Sequence, residues 1–418
     1  MAKKTYDWEK GAVLEDHSRT KHKILREYLA DYLDVRCSHP AQTRFRLAIV
    51  DGFAGAGRYE CGAPGSPIIF LEALQTAAER INTERAAQGK AQIEFDLLLI
   101  VNDATEGVIR QCESNMAPMI GAIKDGAARL NVETIALAAK FEAAYPVIKH
   151  QLANYGYASN VIFNLDQYGH SQVALPTLTD ILRSYPSAEI FYTFSIEALL
   201  SYLPKSDRPA LESRLAPFEI GLKDLDDLES VLGKNEWLGA AERLVFDSFR
   251  GVGAFTSPFS IHNPNGWRYW MIHFAVNFRA RQVYNDVLHR NASMQAHYGR
   301  SGLRMLSYNP EHEGMLYLFE DDDRERAKSQ LHDDIPRAVA VYGDAIGMGE
   351  FYQSIYNETP SHSDDIHAAI IENPDVSVVT STGGERRVAN TISREDTLII
   401  RPQKSFFSIL WPDGPPKK

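Results

Sequence analysis

The chain has little cysteine, and it lacks long apolar runs. Its three cysteines, Cys37, Cys61 and Cys112, are odd in number and far apart, which excludes a disulfide framework and a cysteine zinc cluster and suits a reducing cytoplasm. No run approaches the length of a transmembrane helix. The first residues, MAKKTYDWEKG, lack the apolar region of a signal peptide. We therefore expect a cytoplasmic protein that does not contact a membrane.

An excess of positive charge is also missing. The formal net charge is -11. A phosphate backbone is bound by a basic face, so this balance argues against tight, autonomous nucleic-acid binding, although a local basic patch stays compatible with it. The composition, 44% hydrophobic and 24% charged, provides for a sizeable core. The 418 residues allow two or three domains.

Two phosphate-binding fingerprints, G-x-G-x-x-G and GK[ST], are absent from the first glycine-rich segment. Instead an apolar strand, Leu47–Val50, leads into Asp51, Gly52, Gly55 and Gly57. Clustered glycines let a ligand approach the backbone and allow positive φ angles. An acidic strand end beside exposed N–H groups suits a ligand with hydroxyls and a cationic end. The pattern is typical of the class I S-adenosylmethionine methyltransferase loop, and it also occurs as a plain structural turn.

Further apolar runs alternate with helical patterns. Strands are expected at Phe95–Val101, Val132–Ala138, Ala158–Leu165 and Glu189–Phe194, and a hairpin at Pro258–His262 and Trp267–Val276, followed by a long helix at Phe278–His297. Five parallel-type strands joined by helices and finished by an antiparallel hairpin form the strand inventory of a class I methyltransferase. We predict an α/β, Rossmann-like seven-stranded sheet with a terminal antiparallel hairpin.

The second strand ends at Asn102 and Asp103. In doubly wound sheets the acidic residue at this position hydrogen-bonds the ribose hydroxyls of a nucleotide. We therefore predict that both residues contact a cofactor. The alternative is that Asp103 caps the helix expected at Thr105–Asn115.

The fourth strand ends in Asp166, Gln167, Tyr168 and Gly169. A carboxylate, an aromatic and a glycine at this point lie where an open α/β sheet places its substrate. Amino-methyltransferases use (Asp/Asn/Ser)-Pro-Pro-(Tyr/Phe) here: the acid or amide orients the amine, and the aromatic stacks on a flat substrate. Both prolines are missing. In the alternative interpretation, Asp166 caps the helix from Val173 and Tyr168 fills core.

The first helix, expected at Leu14–Leu33, begins with a cationic stretch that includes His17, Lys21 and Lys23. It is either a solvated helix start or a cationic lip over the ligand pocket. In the second case Lys21 meets the methionine carboxylate of the cofactor.

The C-terminal part predicts a winged helix-turn-helix. Its second helix, Ser363–Glu372, has no Lys or Arg, and phosphate would repel such a groove-reading helix. We interpret the module as a protein-contact or accessory domain. Arg386 and Arg387, at the tip of the wing, keep nucleic-acid binding open as an alternative.

These motifs resemble the three-Cys-motif partner protein family (TcmP), prokaryotic proteins with a methyltransferase-like domain and a C-terminal winged helix-turn-helix. The family is named for genomic pairing with a radical-SAM-like protein that carries three cysteines. The resemblance rests on SRTKHKILREYL (18–29), IVDGFAGAGRYECGAPGSP (49–67), NLDQYGHS (164–171), FYTFSIEALLSYL (191–203), WRYWMIHFAVN (267–277) and GEFYQSIYNETPSHSDDIHAAI (349–370). The second segment is the most specific.

The resemblance implies which residues hold S-adenosylmethionine and which act on the substrate. The implied cofactor contacts are Lys21, Asp51, Gly52, Phe53, Gly55, Gly57 and Asp103, and the implied active-site tip is Asp166, Tyr168 and Gly169. Family members read Asp-Pro-Phe/Tyr-Gly at this tip, so Gln167 departs from the pattern. The radical-SAM-like protein is the implied partner.

We therefore predict a helical cap (1–45), a methyltransferase-like domain (46–300) with a helical insertion (205–250), and a winged helix-turn-helix domain (320–412). The predicted activity is S-adenosylmethionine-dependent methylation of a nitrogen on a nucleobase-like or other planar amine, with a nucleoside or nucleic acid as the substrate class. Two alternatives remain: a non-catalytic or cofactor-binding partner subunit of an iron–sulfur enzyme, and a DNA-binding protein that uses the wing.

Overall fold

The computed structural model describes most of the chain, in two compact units, Met1–Ala296 and His297–Lys418. The described residues are 8, 11–126, 129–156, 159–167, 169, 171–196, 199, 207–220, 241, 244–261, 269–291, 294–297, 303, 316–317 and 321–402. None of the helices among them is long and apolar enough to cross a membrane.

A mostly parallel sheet organises the first unit. Its strands are β1 (Arg44–Asp51), β2 (Glu94–Asp103), β3 (Leu130–Ala138), β4 (Val161–Leu165), β5 (Ala188–Phe194), β6 (Phe255–Ile261), β7 (Tyr269–Ala275) and β8 (Met294–His297). Their order is β3-β2-β1-β4-β5-β7-β6-β8. Strands β1 to β5 pair in parallel, and β7 runs antiparallel to both β5 and β6. The predicted α/β sheet with its antiparallel hairpin is present.

One prediction about the end of this unit is wrong. The seven predicted strands are present and β8 adds to them, whereas the helix predicted to run to His297 ends at Asn291. Met294 and Gln295 instead pair with β6. This pairing covers the end of β6 at Ser260 and Ile261, which would otherwise lie on an open sheet edge. The hairpin turn at 262–268 lies outside the described residues, as does most of the predicted insertion.

Helices cover both faces of the sheet. They are α1 (Asp16–Arg36), α2 (Ser66–Ala87), α3 (Glu106–Asp125), α4 (Phe141–Asn154), α5 (Leu175–Ser184), α6 (Arg208–Leu215) and α7 (Phe278–Asn291). Helices α4 and α5 pack into one core with alternate residues of β1, such as Ala48 and Val50. Helix α1 packs against α2 and α7. The central strands are therefore buried on both sides, as their apolar runs predict.

The second unit has the helix pair and the hairpin of a winged helix. Its described elements are β9 (Leu316–Tyr317), α8 (Asp321–Ala340), β10 (Ala345–Gly347), α9 (Met348–Ile355), α10 (Ser363–Glu372), β11 (Val376–Val379) and β12 (Thr397–Ile400). The last two strands pair antiparallel, and β10 joins β12 on its other side. Helix α10 has the predicted bounds. The short strand β10 was not predicted.

A buried arginine fixes the loop that enters β1. Arg85, near the end of α2, is 5% exposed and donates to five backbone carbonyls at 2.7–3.3 Å, those of Cys37, His39, Pro40, Gln42 and Ala91. A planar guanidinium with several fixed donors suits this arrangement, which a lysine cannot reproduce. The loop between α1 and β1 is thereby tied to α2.

We expect Arg85→Ala to lower the free energy of unfolding by about 3 kcal/mol, because several partly buried carbonyls lose a charged donor. Arg85→Lys should give an intermediate loss, and urea denaturation measures both. The control is Arg80→Ala on the same helix, whose side chain is 40% exposed and pairs with Asp34 and Glu84; it should change stability by less than about 1 kcal/mol. Equal losses for Arg80 and Arg85 would contradict this role.

Candidate functional site

Three of the predicted site carboxylates lie at one edge of the sheet. Strand β1 lies between β2 and β4, and Asp51 is level with Val101 on one side and Asn164 on the other. Asp103 and Asp166 follow those partners by two residues each. The strand order reverses between β1 and β4, which is where open α/β sheets form their ligand crevice.

Asp51 is buried beneath this edge rather than exposed in it. The side chain is 0% exposed, and Oδ1 accepts a hydrogen bond from Asn164 Nδ2 at 3.1 Å. Burial raises the pKa of Asp51 to about 7, although hydrogen bonds from Ser66 and Asn164 act to lower it. Ser66, the first residue of α2, is thus a partner of Asp51. Gly65 is the N-cap residue of that helix.

Gly52 and Asn102 hold the glycine loop to the neighbouring strands. The Gly52 N–H donates to the Asn164 carbonyl at 2.9 Å. Asn102, which is 1% exposed, donates from Nδ2 to the carbonyls of Gly52 and Ala139, each at 3.0 Å. Its amide therefore serves the loop, whereas the sequence predicts a cofactor contact. Phe53 stacks on Phe141 with a centroid distance of 5.8 Å.

Two glycines of the loop after β1, Gly55 and Gly57, have positive φ, and each is covered by another side chain of the protein. Gly55 has φ +56, and a Cβ added there would overlap the indole of Trp8. Gly57 has φ +76, and a Cβ there would lie 3.3 Å from the Cys112 sulfur. The left-handed backbone matches the prediction. Sequence reasoning missed Trp8, which stands more than forty residues away in the sequence without any local signal.

Asp103 links the glycine loop to the start of α3. Its Oδ1 accepts from the Thr105 N–H at 3.1 Å, and the N–H groups of Gly55 and Ala104 also bond to the carboxylate. Burial raises its pKa despite these bonds. The N-cap residue of α3 is Thr105, so Asp103 is not the helix cap of the alternative interpretation, although its carboxylate accepts the Thr105 N–H just before the helix. The side chain remains partly exposed at the sheet edge.

Asp166 forms an ion pair with Lys21 of α1. The Lys21 ammonium lies 2.5 Å from both carboxylate oxygens, and its side chain is 6% exposed while that of Asp166 is 28% exposed. Burial acts to raise the pKa of Asp166, but the charge and hydrogen bond of Lys21, together with the Thr193 hydroxyl, leave it below its usual value. The sequence predicts that Lys21 contacts the carboxylate of the cofactor. In the structure Lys21 instead pairs with Asp166, the predicted catalytic carboxylate.

A neutral histidine lies one helical turn before Lys21. His17 is on the same face of α1, and its ring stacks on Tyr269 with a centroid distance of 4.4 Å. Burial, followed by the charge of Lys21, lowers the pKa of His17 to about 4. Of the predicted cationic stretch, His17 and Lys21 are therefore buried, whereas Lys23 is exposed and pairs with Glu27.

Gln167 fixes the chain that follows β4. It is 3% exposed, donates from Nε2 to the Tyr192 hydroxyl at 2.5 Å, and accepts from the Gln172 N–H at 2.8 Å. Gly169 has φ +96, and its carbonyl accepts from the Ser195 N–H at 3.1 Å. Gln167, the residue that departs from the pattern of the resembled family, therefore ties the segment after β4 to Tyr192 of β5. Tyr168 lies outside the described residues.

The start of α5 does not use Asp166. The N–H of Ala174, the N-cap residue, donates to Glu142 at 2.8 Å, and the Thr177 hydroxyl donates to the same carboxylate at 2.7 Å. Glu142 therefore takes the capping role that the alternative interpretation assigned to Asp166.

In the winged helix, several charges are paired internally. Arg386 makes two hydrogen bonds to Asp396, at 2.9 and 3.2 Å, while Arg387 is exposed. On α10, Asp365 accepts two hydrogen bonds from Arg324 of α8, at 2.6 and 2.9 Å. Part of the acidic charge of this helix is thus neutralised inside the unit.

We expect the stability difference between Asp51→Asn and the wild type to depend on pH. A carboxyl whose folded pKa is about 7 destabilises the fold increasingly as the pH rises from about 4 to about 7. Between pH 5 and pH 8 the variant should therefore gain about 3 kcal/mol relative to the wild type, at ~1.4 kcal/mol per pKa unit. Urea denaturation at both pH values measures this. A difference independent of pH would contradict the raised pKa, because all other titrating groups are shared.

The comparison with protein families supports the C-terminal domain. Residues 307–383 match the family described as GMT-like wHTH domain, and the helix pair and hairpin of the second unit agree with this match. No curated protein matches the chain. The second unit therefore carries a winged helix-turn-helix domain.

Proposed function

We propose that this chain is an S-adenosylmethionine-dependent methyltransferase that acts on a nitrogen of a nucleobase-like or other planar amine. One observation carries the proposal: the glycine loop after β1 and the Asp166–Lys21 pair after β4 lie on the two sides of the strand-order reversal. The antiparallel β7 between β5 and β6 also supports a class I methyltransferase sheet. The resemblance to the three-Cys-motif partner proteins adds a radical-SAM-like protein as partner.

In this proposal the cofactor supplies an electrophilic methyl group on a sulfonium. The residues fit such a cation, because Asp103 and Asp166 place carboxylates at one sheet edge, with Asp51 buried beneath them. Gly55 and Gly57 present backbone, and Asp103 receives the ribose hydroxyls. Asp166, ionised at neutral pH because Lys21 lowers its pKa, accepts a hydrogen bond from the acceptor amine and orients it. Methyl transfer between such partners depends mostly on orientation.

Lys21 and His17 have assigned places in this scheme. Before the acceptor amine binds, the Lys21 ammonium neutralises the negative charge of Asp166. Once the amine is bound, the ammonium remains beside Asp166 as a hydrogen-bond donor. His17 is neutral above about pH 4, so it adds no second positive charge beside Lys21 and Asp166, and the proton that the methylated amine releases passes to solvent.

We expect the wild type to bind S-adenosylhomocysteine in a calorimetric titration. Asp103→Ala should weaken binding about tenfold or more, since a hydrogen bond to a charged group is worth ~1.4 kcal/mol or more. The matched control, Asp125→Ala, changes an exposed carboxylate at the other end of α3 and should leave the affinity unchanged. No binding of S-adenosylmethionine or S-adenosylhomocysteine at millimolar concentration would end the proposal.

The second candidate is a partner subunit of an iron–sulfur enzyme that does not catalyse methyl transfer. The observation that favours it is the pairing of the site residues with one another: Lys21 with Asp166, and Gln167 with Tyr192. DNA binding through the wing is less well supported, because Arg386 is held by Asp396.

Co-expression with the neighbouring radical-SAM-like protein separates the two candidates. If the chain is a methyltransferase, Asp166→Asn should abolish the function of the pair while the complex still forms in a pull-down. Retained function with Asp166→Asn would favour the partner-subunit role. Thermal unfolding of the variant checks that a lost function is not a lost fold.

A further inference from the structure

Trp8 lies against the part of the glycine loop that has no side chains of its own. The indole occupies the space where a Cβ on Gly55 would be, with its Cε2, Cζ2 and Cη2 atoms nearest. The N–H of Gly55 bonds to the Asp103 carboxylate. The indole therefore covers the loop next to the carboxylate that the proposed function assigns to the ribose.

Aromatic contacts hold Trp8 in this place. Its ring lies 5.3 Å from that of Tyr59, and Tyr59 in turn contacts His22 of α1 with a centroid distance of 5.6 Å. Tyr59 belongs to the irregular segment between the glycine loop and α2. The cover therefore combines one residue from before α1 with one from the segment after the loop.

The backbone after Trp8 is attached to the same segment. The Gly11 N–H donates to the Trp8 carbonyl at 3.4 Å, and the Glu60 N–H donates to the Ala12 carbonyl at 2.9 Å. Gly11 has φ +94, a conformation that favours glycine. The attachment at Ala12 lies between Trp8 and the start of α1 at Asp16. Trp8 can therefore leave Gly55 while α1 stays in place.

We propose that Trp8 is an internal occupant of the nucleoside site, which the ligand displaces. This rests on the proposed function. Indole and purine are both flat, fused two-ring systems of similar size, and the described contacts leave the two no room on Gly55 at the same time. The ligand binds only those molecules in which the indole has left the loop. Its apparent affinity is therefore the intrinsic affinity multiplied by the fraction of molecules in that open state.

Removing the indole should therefore strengthen ligand binding. We expect Trp8→Ala to lower the dissociation constant for S-adenosylhomocysteine at least about threefold in a calorimetric titration, because no closed state remains to be opened. Trp8→Phe, with a smaller ring, should give a smaller gain. The control is Val13→Ala, a residue that is 59% exposed in the same segment, which should leave the constant unchanged. Thermal unfolding checks that each variant is folded.

Fluorescence reports the displacement directly. The chain has five tryptophans, so the signal of Trp8 is the difference between the wild type and Trp8→Phe. The ligand should shift that difference spectrum to longer wavelength, because the indole moves from Gly55 and Tyr59 into water.

The outcomes separate this inference from the function on which it rests. If the wild type binds but Trp8→Ala binds equally or more weakly, the indole is not a competitor, and only this inference is overturned. A blue shift of the Trp8 difference spectrum would overturn it as well, since it would place the indole on the ligand. If none of the proteins binds S-adenosylhomocysteine, the proposed function is overturned and this inference with it.

Discussion

The ion pair between Lys21 and Asp166 joins the first helix to the end of the fourth strand. The two residues are 145 positions apart in the chain, and the ammonium is almost fully buried. Removing either partner would leave a poorly solvated charge, which is far more destabilising than the loss of a surface pair. The pair therefore fixes α1 against the end of β4.

A second polar contact fixes the other half of the same helix. Tyr28 lies seven residues after Lys21 and so on the same face of α1. Its hydroxyl donates to Glu189 at the start of β5, and His273 Nε2 lies 3.2 Å from the same carboxylate. Helix α1 is thus attached to the sheet near both ends of the strands. This explains how a helix that precedes the sheet in sequence can hold a side chain against Asp166 in one defined position.

The elements were predictable from local signals, and the contacts of the site were only partly so. Buried parallel strands give continuous apolar runs, so β5 was found to within one residue, whereas the run Leu47–Val50 marks only the apolar half of β1. The second helix of the winged helix-turn-helix, predicted at Ser363–Glu372, is α10 with the same bounds. The Lys21–Asp166 pair and the cover of Trp8 on Gly55 join distant parts of the chain, for which the sequence has no periodic signal. Short strands such as β8 and β10 depend on pairing partners. Asn102 and Gln167 take structural roles because their amides are buried where backbone groups need partners.

Gly52 has a consequence for how tightly this crevice can hold a ligand. A Cβ at that position would lie 2.8 Å from the side chains of Phe141 and Leu165, so the core packs directly against the first residue of the loop. The loop therefore shares the rigidity of the interior, and its ordering entropy is lost when the chain folds rather than when a ligand arrives. Under the proposed function, the cofactor would meet a preorganised surface, and little of its contact energy would be spent on shaping the backbone around it.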